Sequence, residues 1–132
     1  MNAVIWHNPR CGTSRNTLAL LRHAGFEPTV VEYLKDVPDK AALAAMIAAA
    51  GISVREAIRS KEAVYAELGL GDPALDDEAL LAAMLANPVL INRPFVRTDL
   101  GTRLCRPSEL VLQILPPLAA PFTKEDGSVI GG

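Results

Sequence analysis

The chain opens on a strand, a short loop and a helix, and that handover constrains what the rest can build. Ala3-Val4-Ile5-Trp6 is an apolar run that predicts a buried strand. Ser14 to His23 predicts a helix, with Leu18, Leu21 and Ala24 near helical spacing and Gly25 to stop it at C′. Thr29-Val30-Val31-Glu32-Tyr33-Leu34, rich in β-branched residues, predicts a second strand. Such a unit sets its two strands parallel through a right-handed crossover, and ligands gather at the C-terminal strand ends. Cys11 stands there, inside His7-Asn8-Pro9-Arg10-Cys11-Gly12-Thr13-Ser14-Arg15-Asn16-Thr17. A thiol at a helix start feels the positive end of the helix dipole and the free N–H groups of the first turn. Arg10 and Arg15 flank it, and thiolates so placed reach pKa values of roughly 3.5–7.5, against about 8.5 for a free Cys. Cys11 therefore reads as a nucleophile.

The middle of the chain is helical. Asp36-Val37-Pro38-Asp39 offers an N-cap and an early helical Pro before an Ala-rich run to Ala50, ended by Gly51. Ser53-Val54-Arg55-Glu56 has capping-box form, and further helices fit 62–67 and 77–86, the latter capped by Asp76 and halted at Asn87-Pro88. The sheet resumes with Phe95-Val96-Arg97-Thr98, a turn at Asp99-Leu100-Gly101, and Thr102-Arg103-Leu104-Cys105, a β-hairpin pattern. Pro107 opens a final helix to about Leu115. The order β-α-β, helical insertion, β-β-α describes an α/β domain of thioredoxin-like fold with a mixed four-stranded sheet. Residues 1–116 are expected to form that single domain, with its insertion over about 36–87, and 117–132 a loose polar C-terminal tail.

Length and charge narrow the classes. At 132 residues the chain has the size of one domain and buries enough surface to need no staples. Half the residues are hydrophobic, yet no apolar run approaches the roughly 20 residues of a membrane span, and the N-terminus lacks a signal-peptide layout. A cytoplasmic protein with no membrane partner is expected. A net charge of −2 gives no general attraction for nucleic acid, so an anion would have to be bound locally. Nine Arg against four Lys suits that task, because the guanidinium fork matches a tetrahedral oxyanion with paired hydrogen bonds. The two cysteines, Cys11 and Cys105, point to thiol chemistry in a reducing compartment more than to a disulfide, with inert core thiols as the plain alternative.

Four blocks carry a family resemblance. His7-Asn8-Pro9-Arg10-Cys11-Gly12-Thr13-Ser14-Arg15-Asn16-Thr17-Leu18, Ile58-Arg59-Ser60-Lys61-Glu62, Leu90-Ile91-Asn92-Arg93-Pro94 and Leu104-Cys105-Arg106-Pro107-Ser108-Glu109 resemble, in order, the glutaredoxin-dependent arsenate reductases of the ArsC family, over about residues 3–115. The resemblance implies that Cys11 attacks arsenate and that Arg59, Arg93 and Arg106 bind the oxyanion. It implies a covalent Cys–arsenate, glutathione as co-substrate attacking arsenic, glutaredoxin removing glutathione as a mixed disulfide, and release of arsenite, with no bound cofactor. The chemistry asks for the same set, since a thiolate approaches an anionic substrate only where fixed positive charge offsets their repulsion. The N–H groups of Gly12, Thr13 and Ser14 are positioned to cradle oxygens at the helix start. A resolving Cys three residues on would make a C-x-x-C pair, but that position is Ser14, so the second thiol must come from outside.

Two other readings share this fold: a glutathione-linked thiol oxidoreductase, and a redox-regulatory binding protein without arsenate activity. The complete Arg trio argues for the first reading over both, and Ser14 argues against the C-x-x-C switch of the regulators. Cysteine phosphatases space Cys and Arg with five residues between; here Thr17 fills that place and Arg15 comes too early. His7 is read either as tuning Cys11 or as a strand-end hydrogen-bonding residue, Arg15 as adding field more than contact, and Cys105 as a small core residue. His23 is expected to be exposed at the helix C-terminus, Arg22, Arg55, Arg97 and Arg103 to be solvated charges, and Trp6 and Phe26 to be core aromatics. No His/Cys spacing fits a metal site. Arg93-Pro94 is expected to be cis, because a thioredoxin-like fold places a cis-proline at the start of its third strand beside the active Cys.

Overall fold

The computed structural model describes residues 2–131. They divide into two compact units, one built from the chain through Glu32 and again from Arg93 onward, the other from Tyr33–Asn92. The first unit holds β1 (Ala3–Trp6), α1 (Gly12–His23), β2 (Thr29–Val31), β3 (Phe95–Thr98) and β4 (Gly101–Leu104). Strand order is β2-β1-β3-β4, with β1 parallel to β2 and the pairs β1–β3 and β3–β4 antiparallel. This is the mixed sheet of a thioredoxin-like fold. Strand β2 stops at Val31, three residues short of the expected end, and Tyr33 is wholly buried in the other unit.

Helix α1 begins with Cys11 as its N-cap and closes with Gly25 at φ +94°, a left-handed C′ that costs a residue without Cβ little. Its buried face is Ser14, Thr17, Leu20 and Leu21. Leu20 and Leu21 join Ile5, Phe26, Val96, Cys105, Val111 and Ile114 in the core, each such aliphatic side chain contributing about 1.5–3 kcal/mol. The two polar residues on that face are satisfied locally, Thr17 by donating to the Thr13 carbonyl at 2.8 Å and Ser14 within the site described below. Trp6 and Phe26 are core aromatics, Trp6 meeting Phe95 edge to face at 5.9 Å.

Two expectations for the C-terminal part are corrected. The final helix, Ser108–Ile114, is a 3-10 helix. Its buried residues Ser108, Val111 and Ile114 recur every third position, the repeat that a three-residue turn stacks on one face. Residues expected as a loose tail form a second, two-stranded sheet, β5 (Phe122–Thr123) against β6 (Val129–Ile130), with Phe122 and Ile130 packed on the core.

The second unit is helical: α2 (Lys40–Ala49), α3 (Val54–Ala57), α4 (Ala63–Glu67), α5 (Asp77–Ala86) and a 3-10 turn at Pro88–Leu90. Helices α2, α3 and α5 start on side-chain caps. Asp39 accepts from Ala42 N–H, Asp76 from Ala79 N–H, and Ser53 with Glu56 completes the capping box. Pro38 precedes the Asp39 cap instead of lying in the first turn as expected. Leu43, Met46 and Ile47 of α2 and Leu80, Leu81 and Met84 of α5 are buried. Arg55, expected as solvated charge, donates to the carbonyls of Leu70 and Asp72 at 2.9 and 3.0 Å and so ties down the loop before α5.

Candidate active site

Sheet register brings the site together. The pairing Trp6↔Phe95 between antiparallel β1 and β3 sets the loop leaving β1 beside the residues that enter β3. The pairing Phe95↔Leu104 sets the residues leaving β4 on the same sheet end, and Cys105 N–H extends it by donating to the Pro94 carbonyl at 2.8 Å. Cys11, Arg93 and Arg106 thus converge from three segments far apart in sequence. Arg93-Pro94 is cis as expected, and Arg106-Pro107 is cis as well.

Arg106 Nη1 lies 3.5 Å from the Cys11 sulfur and donates to the Arg93 carbonyl at 3.1 Å. The thiol is half-buried. Burial alone pushes its pKa up, but the nearby Ser14 N–H, the side chains of Arg106 and Arg93 and the Arg106 charge outweigh that and hold it below the ordinary thiol value. Among the three Arg residues of the resemblance, Arg93 and Arg106 therefore face Cys11 directly. Arg59 belongs to the helical unit, where its N–H donates to the Leu90 carbonyl at 2.7 Å next to the Ile58–Ile91 bridge. Its Nε stands 3.2 Å from Glu62 Oε1, an ion pair by distance that is not aligned as a hydrogen bond.

The supporting residues take unequal parts. Gly12 and Thr13 form the start of α1, half-buried beside the thiol. Ser14 is fully buried, and its hydroxyl oxygen accepts from Asn8 N–H at 3.0 Å and shares a 2.6 Å hydrogen bond with His7 Nδ1. His7 is buried too, with its N–H donating to Val31 in the sheet at 2.8 Å. Burial holds its pKa below the ordinary imidazole value, with Glu32 opposing and Arg22 and Arg15 adding to the fall, so it is neutral at pH 7 and braces Ser14. Arg15 is engaged elsewhere. Its Nη1 donates to the Pro9 carbonyl at 3.0 Å, and its Nε and Nη2 hold Glu125 at 2.9 and 3.1 Å.

Cys105 is fully buried in the core, and burial pushes its thiol up to about 12 against a small opposing effect of Arg103. Its sulfur is protonated and inert. His23 is exposed in the last turn of α1 and hydrogen-bonds the Ala120 carbonyl at 2.9 Å. Among the described residues no group of three or more His, Cys, Asp or Glu is placed to hold a metal ion, and no helix is long and apolar enough to cross a membrane.

Known proteins match this chain in sequence and in fold. The model of the ArsC family matches residues 6–114. The chain belongs to the ArsC family. It is similar to the arsenate reductase of Rhizobium meliloti (strain 1021), 66% identical over 131 residues that cover 98% of this chain and 94% of that protein. An Escherichia coli arsenate reductase is 53% identical over 130 residues, covering 98% and 92%. The solved arsenate reductase from Vibrio cholerae superposes with TM-score 0.84 at 46% identity over 87% of this chain and 98% of that one.

Around Cys11, sequence reasoning missed Glu125 beside Arg15, and Asn8; in the helical unit it missed Glu62 beside Arg59. Asn8 is buried, and its Oδ1 accepts from Arg10 N–H at 3.0 Å, an Asx turn that shapes the loop before Cys11. Asn8-Pro9 was a turn signal in plain view; Glu125, at a separation of 110 residues from Arg15, had none.

Proposed function

We propose that this chain reduces arsenate to arsenite, with Cys11 as nucleophile and with glutathione and glutaredoxin as the external reductants of a cytoplasmic, reducing setting. The observation that carries the reading is the approach of Arg106 to the Cys11 sulfur, 3.5 Å from Nη1, in a site that favours thiolate. The names of the relatives, arsenate reductases at 66% and 53% identity, support the choice of oxyanion.

The chain's own residues suggest the order of events. The Cys11 thiolate attacks arsenic and a hydroxyl leaves as water, giving a covalent Cys–arsenate. Arg93 and Arg106 offset the negative charge that thiolate and arsenate share, and Arg59 enters the proposal through the resemblance of its block. The glutathione thiol then attacks arsenic, and a second hydroxyl leaves as water with the thiol proton, so that arsenic is bonded to both sulfurs. A glutaredoxin thiolate takes the glutathione sulfur as a mixed disulfide, the electron pair of the broken sulfur–arsenic bond stays on arsenic and reduces As(V) to As(III), and water then cleaves the Cys11–arsenic bond, returning the Cys11 thiol and releasing arsenite. An external thiol is needed because Cys105 is buried with its proton held to about pH 12.

A coupled assay with arsenate, glutathione, glutaredoxin and a supply of reductant tests this. Wild type and Cys105→Ala should turn over, and Cys11→Ser should fall to background. Turnover retained in Cys11→Ser rejects the nucleophile. Wild type idle with arsenate yet active in glutathione–disulfide exchange would favour the glutathione-linked thiol oxidoreductase instead.

A further inference from the structure

The C-terminal hairpin touches both segments that meet at Cys11. In the turn between β5 and β6, Glu125 grips Arg15 through both carboxylate oxygens at 2.9 and 3.1 Å, and its N–H donates to Asn16 Oδ1 at 2.9 Å. Arg15 in turn donates to the Pro9 carbonyl in the loop before Cys11. On the other side Lys124 Nζ meets Glu109 Oε1 at 2.7 Å, and Ser108 Oγ donates to the same oxygen at 3.0 Å. Ser108 and Glu109 open the 3-10 helix directly after Arg106-Pro107.

The turn is well defined. Lys124 N–H donates to Ser128 at 2.8 Å, Gly127 N–H returns to Lys124 at 3.0 Å, and Gly127 adopts φ +88°. The hairpin is anchored by Phe122, 5.4 Å from the His23 ring, and by Ile130 on the core.

We propose that this hairpin is a brace for the Cys11–Arg106 contact, with Glu125 and Lys124 as positioning residues. The proposal rests on reading Cys11 as the reactive thiol. Two facts favour positioning over bulk stability. The Arg15–Glu125 pair is exposed, at 43% and 49% of its side-chain surface, and such pairs add little to overall stability. Their partners instead lie on the two short segments whose separation sets the 3.5 Å contact. The charged and titratable groups around the sulfur are Arg15 on its own helix, Arg93 and Arg106 across the sheet end, His7 behind Ser14, and Glu125 on the hairpin.

Opposite charges make the test decisive. Removing Glu125 takes away a negative charge, which by field alone would lower the thiol pKa, whereas removing Lys124 takes away a positive one, which would raise it. A brace predicts the same direction for both. In the full chain, the pH dependence of Cys11 alkylation by iodoacetamide, read by peptide mass spectrometry, should shift upward in Glu125→Ala and in Lys124→Ala by about 0.5–1 unit, or about three- to tenfold slower alkylation on the acid side. Thermal melts of both variants should stay close to wild type. A downward or absent shift in Glu125→Ala, or an absent shift in Lys124→Ala, overturns the proposal. Alkylation uses no arsenate, so failure here is separate from failure of the reductase reading, which the coupled assay reports.

Discussion

Arg106 serves Cys11 and Arg93 through one nitrogen: Nη1 stands 3.5 Å from the Cys11 sulfur and 3.1 Å from the Arg93 carbonyl oxygen. That nitrogen carries two hydrogens, so one donor locks the guanidinium to the backbone while the other meets the sulfur. The lock matters because an arginine side chain otherwise has about 2 kcal/mol of rotamer entropy to lose on being held in place. A guanidinium fixed before substrate arrives stabilises developing negative charge without reorganising.

Replacing Arg106 by Ala should raise the apparent pKa of the Cys11 thiol and slow its alkylation at pH 6–7 about tenfold. Iodoacetamide kinetics against pH measure both, and an unchanged profile refutes the contact's role.

The same thiol should leave a mark on stability. Its pKa is lowered in the folded chain, so the folded state binds fewer protons than the unfolded one across the interval between the two values. The stabilisation is therefore present in full above the unfolded thiol pKa and is lost as pH falls through the folded one. Urea titrations of wild type and Cys11→Ser at several pH values should show the wild-type advantage shrinking toward acid; a constant difference contradicts the assignment.

Native alkylation near neutral pH should modify Cys11 alone, with Cys105 labelled only after denaturation, because the Cys105 thiol is fully buried with its pKa pushed up to about 12. Cys105→Ala should keep activity while losing about 1 kcal/mol of stability from the cavity it leaves. Peptide mapping and urea unfolding report the two effects.

Ser14→Ala removes the oxygen that satisfies Asn8 N–H and pairs with His7, all three residues being buried. A loss of about 1–3 kcal/mol is expected, measured by urea unfolding, together with slower alkylation of Cys11. Ser53→Ala, which breaks the capping box of α3, should cost about 1 kcal/mol and leave the Cys11 titration unmoved.

Much of the fold was legible locally. Strand β1, helix α1 with its Gly25 stop, the capping box at Ser53, helix α5 after Asp76 and the β3–β4 hairpin all follow from periodicity, caps and turn residues. The misses share a cause. The last helix is 3-10 because Ser108, Val111 and Ile114 must all face one core, and the hairpin of residues 122–130 exists because Phe122 and Ile130 find that core. Neither demand is visible in a short window. Ser14 and Thr17 occupy the buried face of α1, where their hydroxyls find partners close by in sequence.

By itself the sequence determined that Cys11 stands at a strand-to-helix handover, where the helix dipole and first-turn N–H groups come from local structure alone. Tertiary structure decided which charges act on it. Two antiparallel registers, Trp6↔Phe95 and Phe95↔Leu104, carry Arg93 and Arg106 to the sulfur, and a carboxylate 110 residues away claims Arg15. Hydrogen bonds act over about 3 Å and charge interactions weaken with distance, so both depend on separation in space, which distance along the chain does not set.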